Sequence, residues 1–546
     1  MPITEYLEKN AREIGDEVAL VEINPELKEQ MRQTWKEFSL VQPEQGLKHR
    51  KEISWKQFDD ASNMFANGLI ARGVKPNDKI AILLMNCIEW LPIYFGILKT
   101  GALAVPLNYR DSSDEIKYCL ELADCSLLVF GKEFIGRLEN IVSDLKDIKE
   151  LIYVGEDCPT FATDYNDIVA NVSSVKPNVS LTDDDFAAIY FSSGTTGFPK
   201  AILHKHRSLV CAAITEQQHH GQTRDDTFLC IPPLYHTGAK MHWFGSLIAG
   251  SRAVLLKGVS PKWILQTVSD EKFTIVWLLV PWAQDILDAI ESGEVALADY
   301  KLSQWRLMHI GAQPVPPSLI RRWKTVFPNH QYDTNYGLSE SIGPGCVHLG
   351  VENISKVGAI GKAGFNWKTK IVNSKHKSVA RGEVGELAVC GNGVMECYYK
   401  DPIATEAVLE NGWLYTGDMA REDEDGFIYL VDRKKDVIIT GGENLYPVQI
   451  EDFLRTCSYI RDVAVIGLPD ERLGEIAAAV VELKPEFTSK IKEADIFNFC
   501  GALPRYKRPK TIIFDKVPRN PTGKIEKPKL RKKYCGGSVV EKQTNS

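Results

Sequence analysis

The apolar run Ala187–Phe191 empties into Ser192, Ser193, Gly194, Thr195, Thr196 and Gly197, with Phe198, Pro199 and Lys200 following. Four hydroxyl side chains and free backbone N–H groups can wrap an anion there. Two glycines let the backbone turn tightly and approach a ligand, and Lys200 adds positive charge. These are the parts of a phosphate cradle. It is not a Walker A loop, because Pro199 stands where that loop needs glycine before lysine. Two carboxylates sit in short glycine-bearing runs further on, Glu340 after Tyr336-Gly337-Leu338-Ser339 and Asp418 after Tyr415-Thr416-Gly417. A carboxylate beside phosphates can hold Mg²⁺, and one beside a sugar can accept two hydroxyls. Lys524 lies in the basic stretch Lys516–Lys533. On charge alone that stretch reads as a solvated tail, yet a lysine can also stabilise charge developing at a phosphate. His236 follows a Pro-Pro turn and by itself reads as a hydrogen-bonded core histidine. His204, His206, His219 and His220 lack a carboxylate or cysteine set, so no zinc site is expected.

Regular elements must position these groups. A helical pattern at Trp55–Ala71 precedes the apolar run Lys79–Met85, then a helix at Glu89–Lys99 and a strand at Leu103–Leu107. A helix near Ser113–Ala123 and a strand at Ser126–Phe130 repeat the unit. That alternation predicts a parallel sheet covered by helices. Residues 25–52 are polar and read as a helical or loop insertion. From 360 to 432, short apolar segments such as Lys370–Val372 and Gly385–Val389 are divided by turn residues, which predicts β-rich structure. The charged run Asp432-Arg433-Lys434-Lys435-Asp436 marks a boundary. A smaller unit with strands at Asp462–Ile466 and Ala477–Leu483 follows it. The tail from Gly536 is expected to be disordered.

The chain has 546 residues, 44% hydrophobic and 25% charged, the balance of a globular protein rather than a disordered or fibrous one. Its net charge of −7 argues against dedicated nucleic-acid binding. Twelve scattered cysteines without C-x-x-C speak against a disulfide scaffold. The charged N-terminus lacks a signal-peptide core, and no apolar run reaches the roughly 20 residues of a membrane span. The expectation is a reduced, cytoplasmic protein.

In their order along the chain these segments resemble the adenylate-forming superfamily, which holds acyl-CoA synthetases, peptide-synthetase adenylation domains and luciferases. The loop at 190–200 resembles its signature loop. Pro232-Pro233-Leu234-Tyr235-His236 resembles the motif whose histidine guards the acyl pocket. Tyr336–Glu340 resembles Y-G-x-T-E with Ser339 in place of threonine, and Tyr415–Asp418 resembles the ribose motif. Asp432–Asp436 with Gly441-Gly442 resembles the hinge and its following loop, and Pro518–Lys524 the C-terminal lysine motif. The likeness covers about residues 52 to 530.

The resemblance implies an α/β fold. Residues 1–432 would form a large N-terminal domain of α/β sheets with a β-rich subdomain, and 433–546 a small mobile α+β domain hinged near Lys435. It implies ATP, Mg²⁺ and coenzyme A as cofactors. Thr195 and Glu340 would hold the metal, with Lys524, His236, Glu340 and Thr195 as the catalytic set. Nucleotide contacts would come from Ser192–Gly197, Lys200, Gly311, Ala312, Gln313, Asn335, Tyr336, Gly337, Ser339, Asp418, Arg433 and Lys524. Lys435, Gly441 and Gly442 would serve domain rotation and the thiol tunnel, which glycines suit by close backbone approach. The acyl pocket would draw on His236, Gly238, Lys240, Met241, His242, Trp243, Trp277, Leu278, Val280, Gly311, Gly337, Leu338 and Gly343. No acidic residue lies between Phe228 and Trp243, which weakens an amino-acid substrate and favours a medium-chain, alicyclic or aromatic acid. A carrier protein in place of coenzyme A, assembly as a homodimer and a non-catalytic nucleotide binder stay open. Nothing in the sequence supports light emission.

Overall fold

The computed structural model describes residues 1–29, 48–192, 199–311, 315–348, 355–440, 443–519 and 525–535. The first α/β unit begins where local chemistry starts a helix. Ser54 caps Trp55–Ala71, its Oγ accepting from the Gln57 N–H at 3.2 Å while the Gln57 side chain accepts from the Ser54 N–H at 2.9 Å. The reciprocal cap satisfies two backbone donors that the first turn would otherwise leave open. Ser112 and Glu115 start Ser113–Leu122 in the same way.

The strands between these helices, Lys79–Leu83, Leu103–Pro106 and Cys125–Gly131, pair in parallel as expected. Each is buried along nearly its whole length, because helices cover both faces. They form the centre of an eight-stranded sheet that continues through the antiparallel hairpin Phe186–Phe191 and Ala201–Lys205 to the short edge strand Cys397–Tyr398. A second, nine-stranded sheet carries Thr227–Cys230, Ile275–Leu279, Leu307–Gly311 and Gln331–Gly337 side by side. The expected insertion at 25–52 is in part a strand. Arg50–Ser54 pairs antiparallel with Val18–Ile23 at this sheet's edge, and residues 30–47 lie outside the described residues.

The β-rich expectation for 360–432 corresponds to a five-stranded antiparallel sheet holding Lys368–Val372, Gly385–Cys390 and Trp413–Glu422, on which Ile428–Arg433 pairs. The chain leaves that sheet at Arg433, and its next strand, Ile438–Thr440, belongs to another sheet with Ile460–Asp470 and Gly474–Leu483. The tail from Gly536 lies outside the described residues. Among the described residues no helix is long and apolar enough to cross a membrane.

Candidate active site

A cleft of about 3900 Å³ runs between the large sheets and the C-terminal elements. The strand pair Phe186–Phe191 and Ala201–Lys205 delivers Ser192 and Lys200 to its edge. The two residues close the base of the loop: the Ser192 N–H donates to the Lys200 carbonyl and the Lys200 N–H to the Ser192 Oγ, both at 3.0 Å. Ser193, Gly194, Thr195, Thr196 and Gly197 lie outside the described residues, as do Ala312, Gln313, Gly441, Gly442 and Lys524.

Lys200 points its ammonium at the Tyr398 ring, 4.6 Å from the centroid, and the Tyr398 hydroxyl donates to Glu340 Oε1 at 2.9 Å. Burial first, then the Glu340 charge, pushes the Tyr398 phenol well above its ordinary range, so it stays a donor. Glu340 sits in the short turn Ser339–Ser341, and the turn is tied down by His204 Nε2 at 2.8 Å from the Ser339 carbonyl. Cation and carboxylate are therefore held apart by an aromatic spacer and do not collapse onto one another.

A second charged group lies along the same wall. Asp418 and Arg433 face each other in the register of two antiparallel strands, and Arg433 Nε is 3.0 Å from Asp418 Oδ1. The Tyr336 hydroxyl donates to the other oxygen, Oδ2, at 2.5 Å. The Asp418 charge, ahead of the opposing effect of burial, raises the Arg433 pKa. Lys435, three residues after Asp432, also faces the cleft, and burial lowers its pKa to about 8. Lys434 instead pairs with Glu386 at 3.0 Å. Further along the chain, Arg519 is fixed by Asp462 at 2.6 Å and bridges to Ile525, so the two flanks of the Lys524 segment are joined.

Another part of the cleft receives the acyl candidates, and it splits them. His236, Gly238, His242, Trp277, Val280, Gly337, Leu338 and Gly343 line the cleft. Lys240, Met241 and Trp243 do not, which corrects the expectation. One face of helix Thr237–Ala249 meets the cleft, and Gly238 and His242 share it at i, i+4 spacing. Trp243 packs among Phe58, Phe95 and Phe244, and Met241 joins the same core. Lys240 is wholly buried with its ammonium over the Trp90, Tyr94 and Tyr190 rings, and burial pulls its pKa far down. Strand alternation likewise turns Trp277 toward the cleft and Leu278 into the core behind. Gly311 is buried and does not line the cleft.

Trp277 stacks on His242 with centroids 4.3 Å apart and planes at 15°. Two glycines keep this wall close to its neighbours. A Cβ on Gly343 would come within 2.7 Å of Ala212, and one on Gly238 would press on Trp277 at 3.4 Å. His236 caps its helix, its Nδ1 accepting from the Gly238 N–H at 3.2 Å.

The histidine expectation also needs correcting. His204 and His206 stand apart, but His219 and His220 lie beside Glu216 and Asp333, with His242 and His309 closing the group. Glu216 was detectable in sequence, three and four residues before that histidine pair on one helix face. His309 and Asp333 were not, because they meet as register partners on adjacent strands. Tyr398 gave no local signal either. The Asn335 amide, expected at the nucleotide, donates to Glu216 Oε1 at 2.6 Å.

Residues 8–399 match the AMP-binding enzyme family, and residues 449–524 match the AMP-binding enzyme C-terminal domain. Over 481 residues, 87% of this chain and 91% of its own, a long-chain-fatty-acid–CoA ligase of Mycobacterium tuberculosis is 30% identical. A feruloyl-CoA synthase of an Amycolatopsis species is 31% identical over 473 residues, 86% of this chain and 91% of its own. Among solved structures, a fatty acyl CoA synthetase of Mycobacterium tuberculosis superposes with a TM-score of 0.74 at 26% identity, covering 98% of both chains. An anthranilate CoA ligase in complex with anthranoyl-AMP shares the fold, with a TM-score of 0.84 at 24% identity over 98% of this chain and 97% of its own. The chain belongs to the AMP-binding enzyme family.

Proposed function

We propose that this AMP-binding enzyme joins a carboxylic acid to coenzyme A in two steps. In the first, an oxygen of the ionised acid attacks the α-phosphorus of ATP, the bond to the β-phosphate oxygen breaks, and pyrophosphate leaves. In the second, the sulfur of coenzyme A attacks the acyl carbonyl carbon, its proton passes to solvent, and AMP departs. No general base is needed for the first step, because a carboxylic acid is already ionised at neutral pH. The observation that carries this reading is one cleft on which Lys200 is held over the Tyr398 ring, Glu340 by the Tyr398 hydroxyl, and Asp418 and Arg433 as an ion pair.

On that reading Lys200 and the loop it closes bind the phosphates. Asp418, already oriented by Tyr336 and Arg433, accepts the ribose hydroxyls. Glu340 fits Mg²⁺: Tyr398 engages Oε1, and the residue faces the cleft as a hard oxygen donor. With Thr195 it would hold the ion, which supplies charge neutralisation at the phosphates. Lys524 stabilises charge at the α-phosphate in the first step and leaves when the small domain, 433–546, rotates about Lys435. Gly441 and Gly442 then border the thiol channel, and His236 stands at the mouth of the acyl pocket. The pocket between Trp277, His242, Leu338 and Ile342 suits a medium-chain, alicyclic or aromatic acid.

The test is AMP release with Mg-ATP across acetate, fatty acids, benzoates, cyclohexane carboxylates and amino acids, with and without coenzyme A. Turnover that depends on coenzyme A and falls within one acid class is expected. Adenylate formation indifferent to coenzyme A would instead point to a carrier-protein acceptor, and silence across the panel would overturn the ligase reading.

A further inference from the structure

Beside the acyl wall lies a buried cluster built by four elements, of which Glu216 and His242 border the cleft. Helix His206–His219 brings Glu216, with His220 at its end, and helix Thr237–Ala249 brings His242. Strands Leu307–Gly311 and Gln331–Gly337 bring His309 and Asp333 in register. All five are buried, with Glu216 and Asp333 each 1% exposed.

The ring nitrogens follow from their partners. His242 Nδ1 lies 2.6 Å from the Gly238 carbonyl, which only accepts, so that nitrogen carries the hydrogen. His309 Nδ1 lies 2.6 Å from Asp333 Oδ1, and a carboxylate there also takes a hydrogen from the ring. Each neutral ring therefore presents a lone pair at Nε2, and the two Nε2 atoms face each other at 2.8 Å, with the Asn335 amide nitrogen 3.2 Å from His242 Nε2 on one side. Two lone pairs at that distance repel unless a positive centre joins them. Glu216 Oε1 is 3.4 Å from His242 Nε2, and Glu216 Oε2 is 3.7 Å from His220 Nε2. Glu216 Oε2 and both ring nitrogens of His220 have no hydrogen-bond partner among the described residues.

Charge decides what the positive centre is. Glu216 and Asp333 bring two negative charges into a space of low dielectric, where unbalanced charge is costly. His219 also faces both carboxylates, 3.7 Å from Glu216 Oε2 and 3.5 Å from Asp333 Oδ2. One shared proton leaves the group negative unless His219 takes up a second, whereas one divalent cation neutralises it with every imidazole neutral. Imidazole nitrogens with a carboxylate oxygen are a zinc-class donor set.

We infer that His220, His242, His309 and Glu216 form a binding site for one zinc-class divalent cation, with Asp333 orienting His309 and Asn335 orienting Glu216. Carboxylate-to-histidine support of this kind fixes the tautomer that leaves Nε2 free to ligate. The ion ties two helices to two strands beside Trp277. It is separate from the Mg²⁺ position at Glu340 and takes no part in the two steps proposed above.

The test uses the full chain carrying no polyhistidine tag and without nucleotide. It is stripped with a chelator, incubated with Zn²⁺ or Co²⁺, freed of excess metal by gel filtration and analysed by plasma mass spectrometry. About one ion per chain is expected in the wild type and in Glu340→Gln, with visible absorption bands in the Co²⁺ form. His220→Ala and His309→Ala should retain none. Glu216→Gln keeps the side-chain shape but removes an anionic ligand, so it should weaken Co²⁺ binding by at least the roughly 10- to 100-fold that loss of an outer-shell partner costs. Circular dichroism identifies any variant that fails to fold, and the wild-type Co²⁺ spectrum does not depend on the variants. A wild type that retains neither metal overturns the inference in favour of a shared proton. Retention unchanged in folded cluster variants overturns it in favour of binding elsewhere. Neither outcome touches the ligase reading, because no turnover is measured.

Discussion

The two walls of the cleft satisfy their polar groups in opposite ways. On the nucleotide wall, charges are paired across neighbouring strands or spaced by a tyrosine, and they face open volume. On the acyl wall, the charged and imidazole groups are sunk beside Trp277, where little water can reach them. On the proposed function, the first arrangement preorganises contacts to a ligand whose phosphates and ribose never change. The second shapes a surface for a ligand that varies. Damage to the nucleotide wall should therefore slow every acid alike, and damage to the acyl wall should re-rank the acids.

The largest effect sharpens this split between half-reactions. Lys524→Ala should lower pyrophosphate release about 10²- to 10³-fold for all acids, the scale of losing one transition-state charge contact. Thioester formation from synthetic acyl-adenylate should stay near the wild-type rate. Loss of neither activity would remove Lys524 from the mechanism.

Next comes the ribose site. Asp418→Asn keeps an acceptor for Tyr336 but loses the charge that holds Arg433. Steady-state kinetics should show kcat/KM for ATP down roughly 10- to 100-fold, the cost of a hydrogen-bonded charge. The ratio between any two acids should not move, and a changed ranking would break the contrast between the walls.

Trp277→Ala tests the other side. The lost indole opens volume beside Gly238. Larger acids should gain about 10-fold in kcat/KM relative to smaller ones, as expected for pocket volumes differing by a few methylenes. The KM for ATP should hold. A uniform loss across acids would assign Trp277 to the core instead.

The smallest effect concerns charge on the nucleotide wall. Burial lowers the Lys435 pKa to about 8 in the folded chain. Between about pH 8 and the ordinary lysine value near 10.4, the unfolded chain keeps a proton that the folded chain has lost. Stability therefore rises with pH across that window. The denaturant midpoint of the wild type should climb there relative to Lys435→Met, and parallel curves would show an ordinary, solvated lysine.

Legibility differed between the walls for a physical reason. The phosphate and ribose contacts proposed here come from short continuous runs, so Ser192, Lys200, Tyr336, Glu340 and Asp418 stand out locally by type and order. Trp55–Ala71 was readable too, because Ser54 and Gln57 settle its start within one turn. Helix Thr237–Ala249 was not divided correctly. Periodicity alone leaves open which stripe faces the cleft, and packing on Phe58 and Phe95 gave Trp243 to the core.

Short-range patterns in the chain carried the alternation of helix and strand, the β-rich stretch and the family. Each depends on residues close together in the chain. Tertiary structure alone decided that Tyr398 meets Glu340 and that Lys240 is buried under three rings. It also gathered His220, His242, His309 and Asp333 around Glu216. Those contacts join segments up to 150 residues apart, from 90 to 240, and strand register and helix packing set them. No local pattern encodes a distance between side chains that meet only when separate elements close on one core.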